Sequence, residues 1–235
     1  YYNERKSVKK MMLAAEQQYV KTKTYDLEKE INQLHNQQMA IKILMNSLYG
    51  AMGNQYFKYF DIQVAEAVTL TGQMVIRWAE RAINKSMNDL LKTDNKDYVI
   101  AMDTDSLYVN FNDLVKKLNP NDPVKFLDKI CKEHFEPILN KSYEKLFKNL
   151  NCHKPRMEMA REVIADRGIW TAKKRYILNV HNSEGVQYDE PKLKIMGIEA
   201  IKSSTPEVVR KKFKEIFKVL LTGSEKETQN FIRNF

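Results

Sequence analysis

Tyr98-Val99-Ile100-Ala101-Met102-Asp103-Thr104-Asp105-Ser106-Leu107-Tyr108-Val109-Asn110-Phe111 sets an apolar, β-branched run before an acidic tetrad and a second apolar run after it. Each run has strand length, so residues 98–102 and 107–111 read as an antiparallel hairpin with Asp103 and Asp105 at or beside its turn. On extended backbone, residues two apart project to the same side, which would turn Thr104 away from both carboxylates. Two carboxylates held together repel unless a cation lies between them, and carboxylate oxygens suit Mg²⁺. A bare Asp-x-Asp is also what an Asx turn looks like, with both acids bonded to nearby amides. The apolar runs on both sides make this pattern more specific than its spacing.

Upstream, residues 3–18 and 26–49 are rich in Lys, Glu, Gln, Met, Leu and Ala, with no internal Pro or Gly. They read as two helices, joined as an antiparallel hairpin by a break over residues 21–25. Gly50 and Gly53 are expected to end the second helix. A third helix is expected over residues 64–91, with the polar stretch 92–97 leading into the first strand. Downstream, residues 123–150 predict a long helix broken or bent near Pro137. Residues 176–180 and 192–196 read as strands separated by a turn at 181–185, and a helix runs from Thr205-Pro206-Glu207 to about residue 221. Helices packed on a small antiparallel sheet make an α+β fold.

The 235 residues are 43% hydrophobic, enough to bury a core in one large or two small domains. Lys and Arg number 39 against 30 Asp and Glu, a net charge of +9 that favours a polyanionic partner, nucleic acid or an acidic membrane surface. Cys131 and Cys152 lack CxxC spacing, which argues against a zinc site or a disulfide framework and for a reducing, cytoplasmic setting. No stretch approaches the roughly 20 apolar residues of a membrane span, and Tyr1-Tyr2-Asn3-Glu4-Arg5 is not a signal peptide. This opening and the abrupt end at Phe235 are those expected of a piece of a longer polypeptide.

A second pattern lies in Lys42-Ile43-Leu44-Met45-Asn46-Ser47-Leu48-Tyr49-Gly50. At 3.6 residues per turn, Lys42, Asn46, Tyr49 and Gly53 share one helix face and Ile41, Leu44 and Leu48 another, so the polar stripe faces away from the core. Arg5 and Lys9, one turn apart across the hairpin, also share a face. Three cations from two helices make a clamp for a highly charged anion such as a triphosphate. Taken singly, each would be a solvated surface residue.

These strings resemble motifs of the family B DNA polymerases, most closely those of T-even-type tailed bacteriophages. The Lys42 to Gly50 string resembles the fingers motif, and Asp103-Thr104-Asp105-Ser106 the second palm motif. Trp170-Thr171-Ala172-Lys173-Lys174-Arg175-Tyr176, Lys192-Leu193-Lys194-Ile195-Met196-Gly197 and Lys202-Ser203-Ser204-Thr205-Pro206 match as well. The likeness extends from about residue 3 to the end.

The resemblance implies a template-directed DNA polymerase working by two-metal nucleotidyl transfer, with two Mg²⁺ ions for which Mn²⁺ can substitute. It implies fingers over residues 1–50, the C-terminal part of the palm over 51–197 and the beginning of the thumb over 198–235. By position, Arg5, Lys9 and Lys42 would grip the triphosphate, with Asn46 approaching the same site and Tyr49 and Gly50 lying under the nascent base pair. Asp105 would bridge both metals with Asp103 supporting it, and Glu162 would be an auxiliary metal residue left alone where the phage enzymes carry an acidic pair. Lys173, Lys174, Arg175, Tyr176, Lys194 and Lys202 would hold DNA. Implied partners are primer-template DNA, a deoxynucleoside triphosphate, a sliding clamp and a polymerase segment carrying motif A, with no membrane. A D-x-x-S-L-Y-P-S string of motif A does not occur in the sequence, nor do the exonuclease acids, and the fingers hairpin is shorter than in the phage enzymes. The chain alone is therefore expected to be inactive. The alternative is a non-catalytic nucleic-acid-binding subunit on the same scaffold.

Overall fold

Lys23, in left-handed backbone at φ 48°, closes the first helical hairpin by donating its N–H to the Tyr19 carbonyl at 2.9 Å. It ends α1 (Tyr2–Thr22) and lets α2 (Tyr25–Met52) return antiparallel. Val8, Met12 and Leu34 form the seam between the two helices, with Leu13 and Ile31 partly buried against it. Beyond this seam α2 loses its cover: Ile43, Leu44 and Leu48 are exposed. Of the apolar face expected to pack, Ile41 is half-buried, while Leu44 and Leu48 are as open as the polar stripe. Gly50 does not end the helix, which continues to Met52 with Gly53 as its C-cap.

The computed structural model describes residues 1–154 and 156–234. It divides into two compact units, Tyr1–Arg161 and Glu162–Phe235, and the α+β class expected from the sequence is the one observed.

In the first unit, the Asp61 side chain caps α3 (Ile62–Leu91) by accepting from the Gln63 and Val64 amides. The stripe Val75, Ala79, Ile83 and Met87 repeats at helical spacing and is buried. It packs in one core with Tyr98, Val99 and the residues Leu139, Tyr143 and Leu146. Asn84 and Asn88 anchor the following loop: Asn84 Oδ1 accepts from the Tyr98 amide and Asn88 Oδ1 from the Lys96 amide. The polar stretch thereby becomes a rigid lead into β1 (Val99–Asp103), which pairs antiparallel with β2 (Ser106–Val109).

A short helix absent from the sequence expectation, α4 (Asn112–Leu118), buries Leu114. At seven residues it is too short for its periodicity to register. The long helix expected over 123–150 is three segments: α5 (Pro123–Ile130), a π-helical turn Cys131–Phe135, and α6 (Glu136–Asn149). Pro137 has no N–H and its ring crowds the carbonyl four residues back, so the preceding turn widens and the Glu136 N–H bonds the Cys131 carbonyl instead. The bend expected at Pro137 is this turn.

The second unit holds a three-stranded antiparallel sheet, β3 (Val163–Ala172), β4 (Arg175–Ser183) and β5 (Val186–Met196), in the order β3-β4-β5. Strand β3 escaped periodicity because Asp166-Arg167-Gly168 interrupts its apolar alternation and its register shifts twice before Arg167. Glu184-Gly185 closes β4 to β5 with both residues at positive φ, as two-residue hairpin loops favour. Helices α7 (Glu207–Thr222) and α8 (Glu225–Arg233) follow, the second starting in a Ser224–Glu227 capping box. Ile177, Ile195 and Leu221 bury the contact of sheet with α7.

The Arg161 side chain, 7% exposed, pairs with Asp128, which also accepts from Lys132 at 2.9 Å. Burial raises the Asp128 carboxyl, but the hydrogen bonds from Lys132 and Arg161 outweigh it and hold the group below the usual carboxylate range. Removing one member of a buried pair strands the other. Asp128→Asn is expected to destabilise the chain by about 3 kcal/mol at neutral pH, read by urea melts. Because the folded pKa is depressed, this contribution is complete above the unfolded carboxylate pKa of about 4 and fades as pH falls through the lower folded value. The parent and variant melts should therefore converge in acid.

Candidate functional site

The tip of the β1–β2 hairpin places Asp103 opposite Ser106 and leaves Thr104 and Asp105 as a two-residue loop. Thr104 lies at φ 52°, a conformation that hairpin loops usually give to glycine and that β-branched residues avoid. The extended geometry that would alternate the side chains is therefore absent at Thr104. In its place the Asp105 N–H folds back to the Asp103 carbonyl at 2.6 Å, and Ser106 Oγ donates to the same carbonyl at 3.1 Å. Thr104 Oγ1 donates to Asp103 Oδ1 at 3.0 Å, giving the half-buried Asp103 a local partner, whereas Asp105 is exposed. Among the described residues no group of three or more His, Cys, Asp or Glu side chains gathers around a common point. The acidic side chains of this tip are therefore the pair Asp103 and Asp105 alone.

On the helical hairpin, Arg5 and Lys42 each stand roughly 18 residues from the turn, so they lie at one level, about 27 Å from it at 1.5 Å per residue. Lys9 falls one turn nearer the turn, level with Gln38, and Asn46 one turn farther. The four polar residues singled out in the sequence thus belong to the same end of the hairpin. Lys42 and Asn46 are exposed, while Arg5 and Lys9 are half-buried. Arg5 Nε is buried without an acceptor among the described residues, and the Oε1 of Gln38, a residue only 5% exposed, is buried without a donor. Such unmet groups cost about 1–3 kcal/mol each. Tyr49 is 41% exposed, and a Cβ on Gly50 would meet nothing within 4 Å. Nothing among the described residues requires glycine at this helical position.

In the second unit, Lys173-Lys174 forms the two-residue loop between β3 and β4, with Lys174 at φ 63°. Gly197, also at positive φ, passes over this loop so closely that a Cβ would sit 2.2 Å from the Lys174 carbonyl oxygen. Sequence reading placed Gly197 in a matching motif but assigned it no role; its contact with Lys174 links the two basic motifs. Tyr176 is 7% exposed and lies beside Trp170 at 6.4 Å between ring centroids, so its ring belongs to the sheet packing. Lys194 pairs with Glu162 at 2.8 Å and Lys202 with Glu199 at 2.7 Å. The hydrogen bond from Lys202 holds the Glu199 carboxyl below its ordinary range. Both cysteines are free, and burial pushes the Cys131 thiol up to about 11, which keeps it protonated. No helix among the described residues is long and apolar enough to cross a membrane.

A sequence profile described as DNA polymerase family B matches residues 1–235. The chain is 41% identical over 198 residues to a DNA-directed DNA polymerase of Escherichia phage RB69, covering 78% of the chain and 22% of that protein. It is 37% identical over 224 residues to the DNA-directed DNA polymerase of Enterobacteria phage T4, 89% of the chain and 25% of that protein. A more distant relative, DNA polymerase 2 of Aeropyrum pernix, is 30% identical over 210 residues, 87% of the chain and 20% of that protein. The chain therefore spans a quarter or less of the length of these relatives.

The two glycines predict opposite outcomes. Gly197→Ala is expected to destabilise the second unit by about 1–3 kcal/mol, because positive φ and the Lys174 carbonyl both exclude a side chain. Gly50→Ala is expected to stabilise the chain by about 0.5–1 kcal/mol through helix propensity. Urea denaturation of the two variants checks both signs.

Proposed function

Because the chain belongs to DNA polymerase family B, we propose that it forms the fingers (residues 1–50), the C-terminal palm (51–197) and the start of the thumb (198–235) of a template-directed DNA polymerase of the T-even phage type. The observation that carries the reading is the hairpin tip, where strained Thr104 backbone presents Asp105 to solvent while Asp103 is steadied by Thr104 and Ser106. Strained backbone costs about 1–3 kcal/mol and persists at sites that use it.

Each residue then has a role in joining a deoxynucleoside triphosphate to a primer end. Arg5, Lys9 and Lys42 hold the triphosphate and take up the charge that accumulates on the departing pyrophosphate. The unmet Arg5 Nε is a donor suited to that anion. Asn46 orients the same phosphates from the next turn. Tyr49 and Gly50 leave a flat, open helix surface against which a base pair can lie, which accounts for a glycine the chain's own packing does not require. Asp105, seconded by Asp103, holds divalent cations that neutralise the reacting oxygens when bound, Mg²⁺ being the natural choice and Mn²⁺ a substitute. Lys173, Lys174 and Arg175 meet the primer-template backbone, and Lys194 and Lys202 join them by exchanging Glu162 and Glu199 for phosphate. Glu162, engaged with Lys194, serves that exchange in preference to a metal.

The polymerase segment carrying motif A is the partner that completes the site. Ile43, Leu44 and Leu48 on α2, Ile62, Val64, Val68 and Leu70 on α3, and Ile100 and Met102 on β1 are all exposed. A two-stranded sheet is marginal by itself, and so much exposed apolar surface marks a docking face. Primer-template DNA, the nucleotide and a sliding clamp are the remaining partners of this reading.

The deciding experiment mixes the 235-residue chain with primed template, nucleotides and Mg²⁺. No extension is expected from the chain alone, extension is expected once a segment with motif A is added, and Asp105→Ala should abolish it again. Robust extension by the lone chain would refute the division of the site. In the completed enzyme, Lys42→Ala is expected to lower nucleotide incorporation efficiency about ten- to a hundredfold, the loss of one charge-assisted contact of about 1.5–3 kcal/mol, with primer-template affinity unchanged in a gel-shift titration.

A further inference from the structure

Helices α3 and α6 run antiparallel, and two hydrogen bonds join this helix pair on its outer side: Trp78 Nε1 donates to the Ser142 carbonyl at 2.9 Å, and Ser86 Oγ bonds His134 Nε2, in the π turn before α6, at 3.2 Å. Between these ties, which are eight residues and roughly 12 Å apart along α3, lies an open groove of about 690 Å³. Half-buried Trp78, Ala82 and Ile138 line it, with exposed Leu90 at the end nearer Ser86. Arg81 and Lys85 on α3 and Lys145 on α6 stand exposed along it, and Asp89 is its single acid. No ion pair engages Arg81, Lys85 or Lys145 among the described residues, although many surface lysines elsewhere in the chain are paired.

We propose that this groove is a docking site for a short acidic amphipathic helix of a partner protein. The apolar lining fits the apolar stripe of such a helix over two turns, the usual length of a helix-in-groove contact. The unpaired cations on both walls match acidic residues flanking that stripe and supply specificity through charge complementarity. The lining also weighs against nucleic acid, whose phosphates gain nothing from Trp78, Ala82 and Ile138. None of these residues belongs to the nucleotide, metal or DNA positions assigned above, so the groove stands independently of that reading.

The test titrates the full chain against a fluorescein-labelled helical peptide of about fourteen residues, with leucines at i, i+3, i+4 and i+7 and glutamates elsewhere, followed by anisotropy. Saturable binding is expected, weakened about tenfold by Arg81→Glu/Lys85→Glu and by replacing the peptide's leucines with serine. The charge-matched reversal Lys214→Glu/Lys218→Glu on α7 should leave binding within about twofold, which separates docking from general attraction to a basic chain. Leu90→Ala, at an exposed position that cannot unfold the core, should weaken binding without a charge change. Equal binding of the serine peptide, or equal loss from the two charge reversals, would overturn the proposal. So would a single-stranded oligonucleotide that loses affinity in Arg81→Glu/Lys85→Glu while the peptide does not.

Discussion

A threonine held in left-handed backbone is the constraint on which the first unit depends. Thr104 occupies the first position of a two-residue hairpin loop, where glycine would be free and a β-branched residue is strained. The strain is sustained from below. Tyr98 and Val99 are buried against α3, α6 and the π turn, and Asn84 fixes the Tyr98 amide before the strand begins. With its base held, the short ladder closes at Asp103 and Ser106, and the loop has little choice of conformation. The result is one carboxylate engaged by its neighbours and another directed to solvent at a tip that cannot relax.

The two basic elements obey a different constraint, that of cations already provided with anions. Lys194 and Lys202 each hold a carboxylate, and Gly197 passes close over the Lys173-Lys174 loop. In the proposed function, a phosphate backbone arriving here would exchange partners with Glu162 and Glu199, which would favour reversible contact over permanent neutralisation. The hairpin cations differ, since Lys42 is exposed and Arg5 keeps an unmet donor.

Most of this was legible in the sequence wherever periodicity ran long. Helices α1, α2 and α3, the acidic hairpin and the paired stretches 176–180 and 192–196 of β4 and β5 follow from apolar spacing and turn residues, while residues 181–183, expected in the turn, extend β4. What escaped was local or tertiary in origin. The α4 helix is too short to show a period, and β3 hides its alternation behind Asp166-Arg167-Gly168. The loop twist at Thr104 cannot be read from a β-branched residue that normally refuses it. The exposure of Leu44 and Leu48 lay beyond pattern reading as well, because an apolar helix face announces burial without saying whose surface provides it.

In the proposed site the Thr104 loop is a metal-ready turn rather than an Asx turn closed on itself. Titrating Mg²⁺ into the isotopically labelled chain while following backbone amide resonances tests this directly. Saturable shifts confined to Asp103, Thr104, Asp105 and Ser106, lost in Asp105→Asn, are the predicted result. Amides at the tip that remain unmoved by Mg²⁺, or that move no more than those of exposed acids elsewhere in the chain, would contradict it.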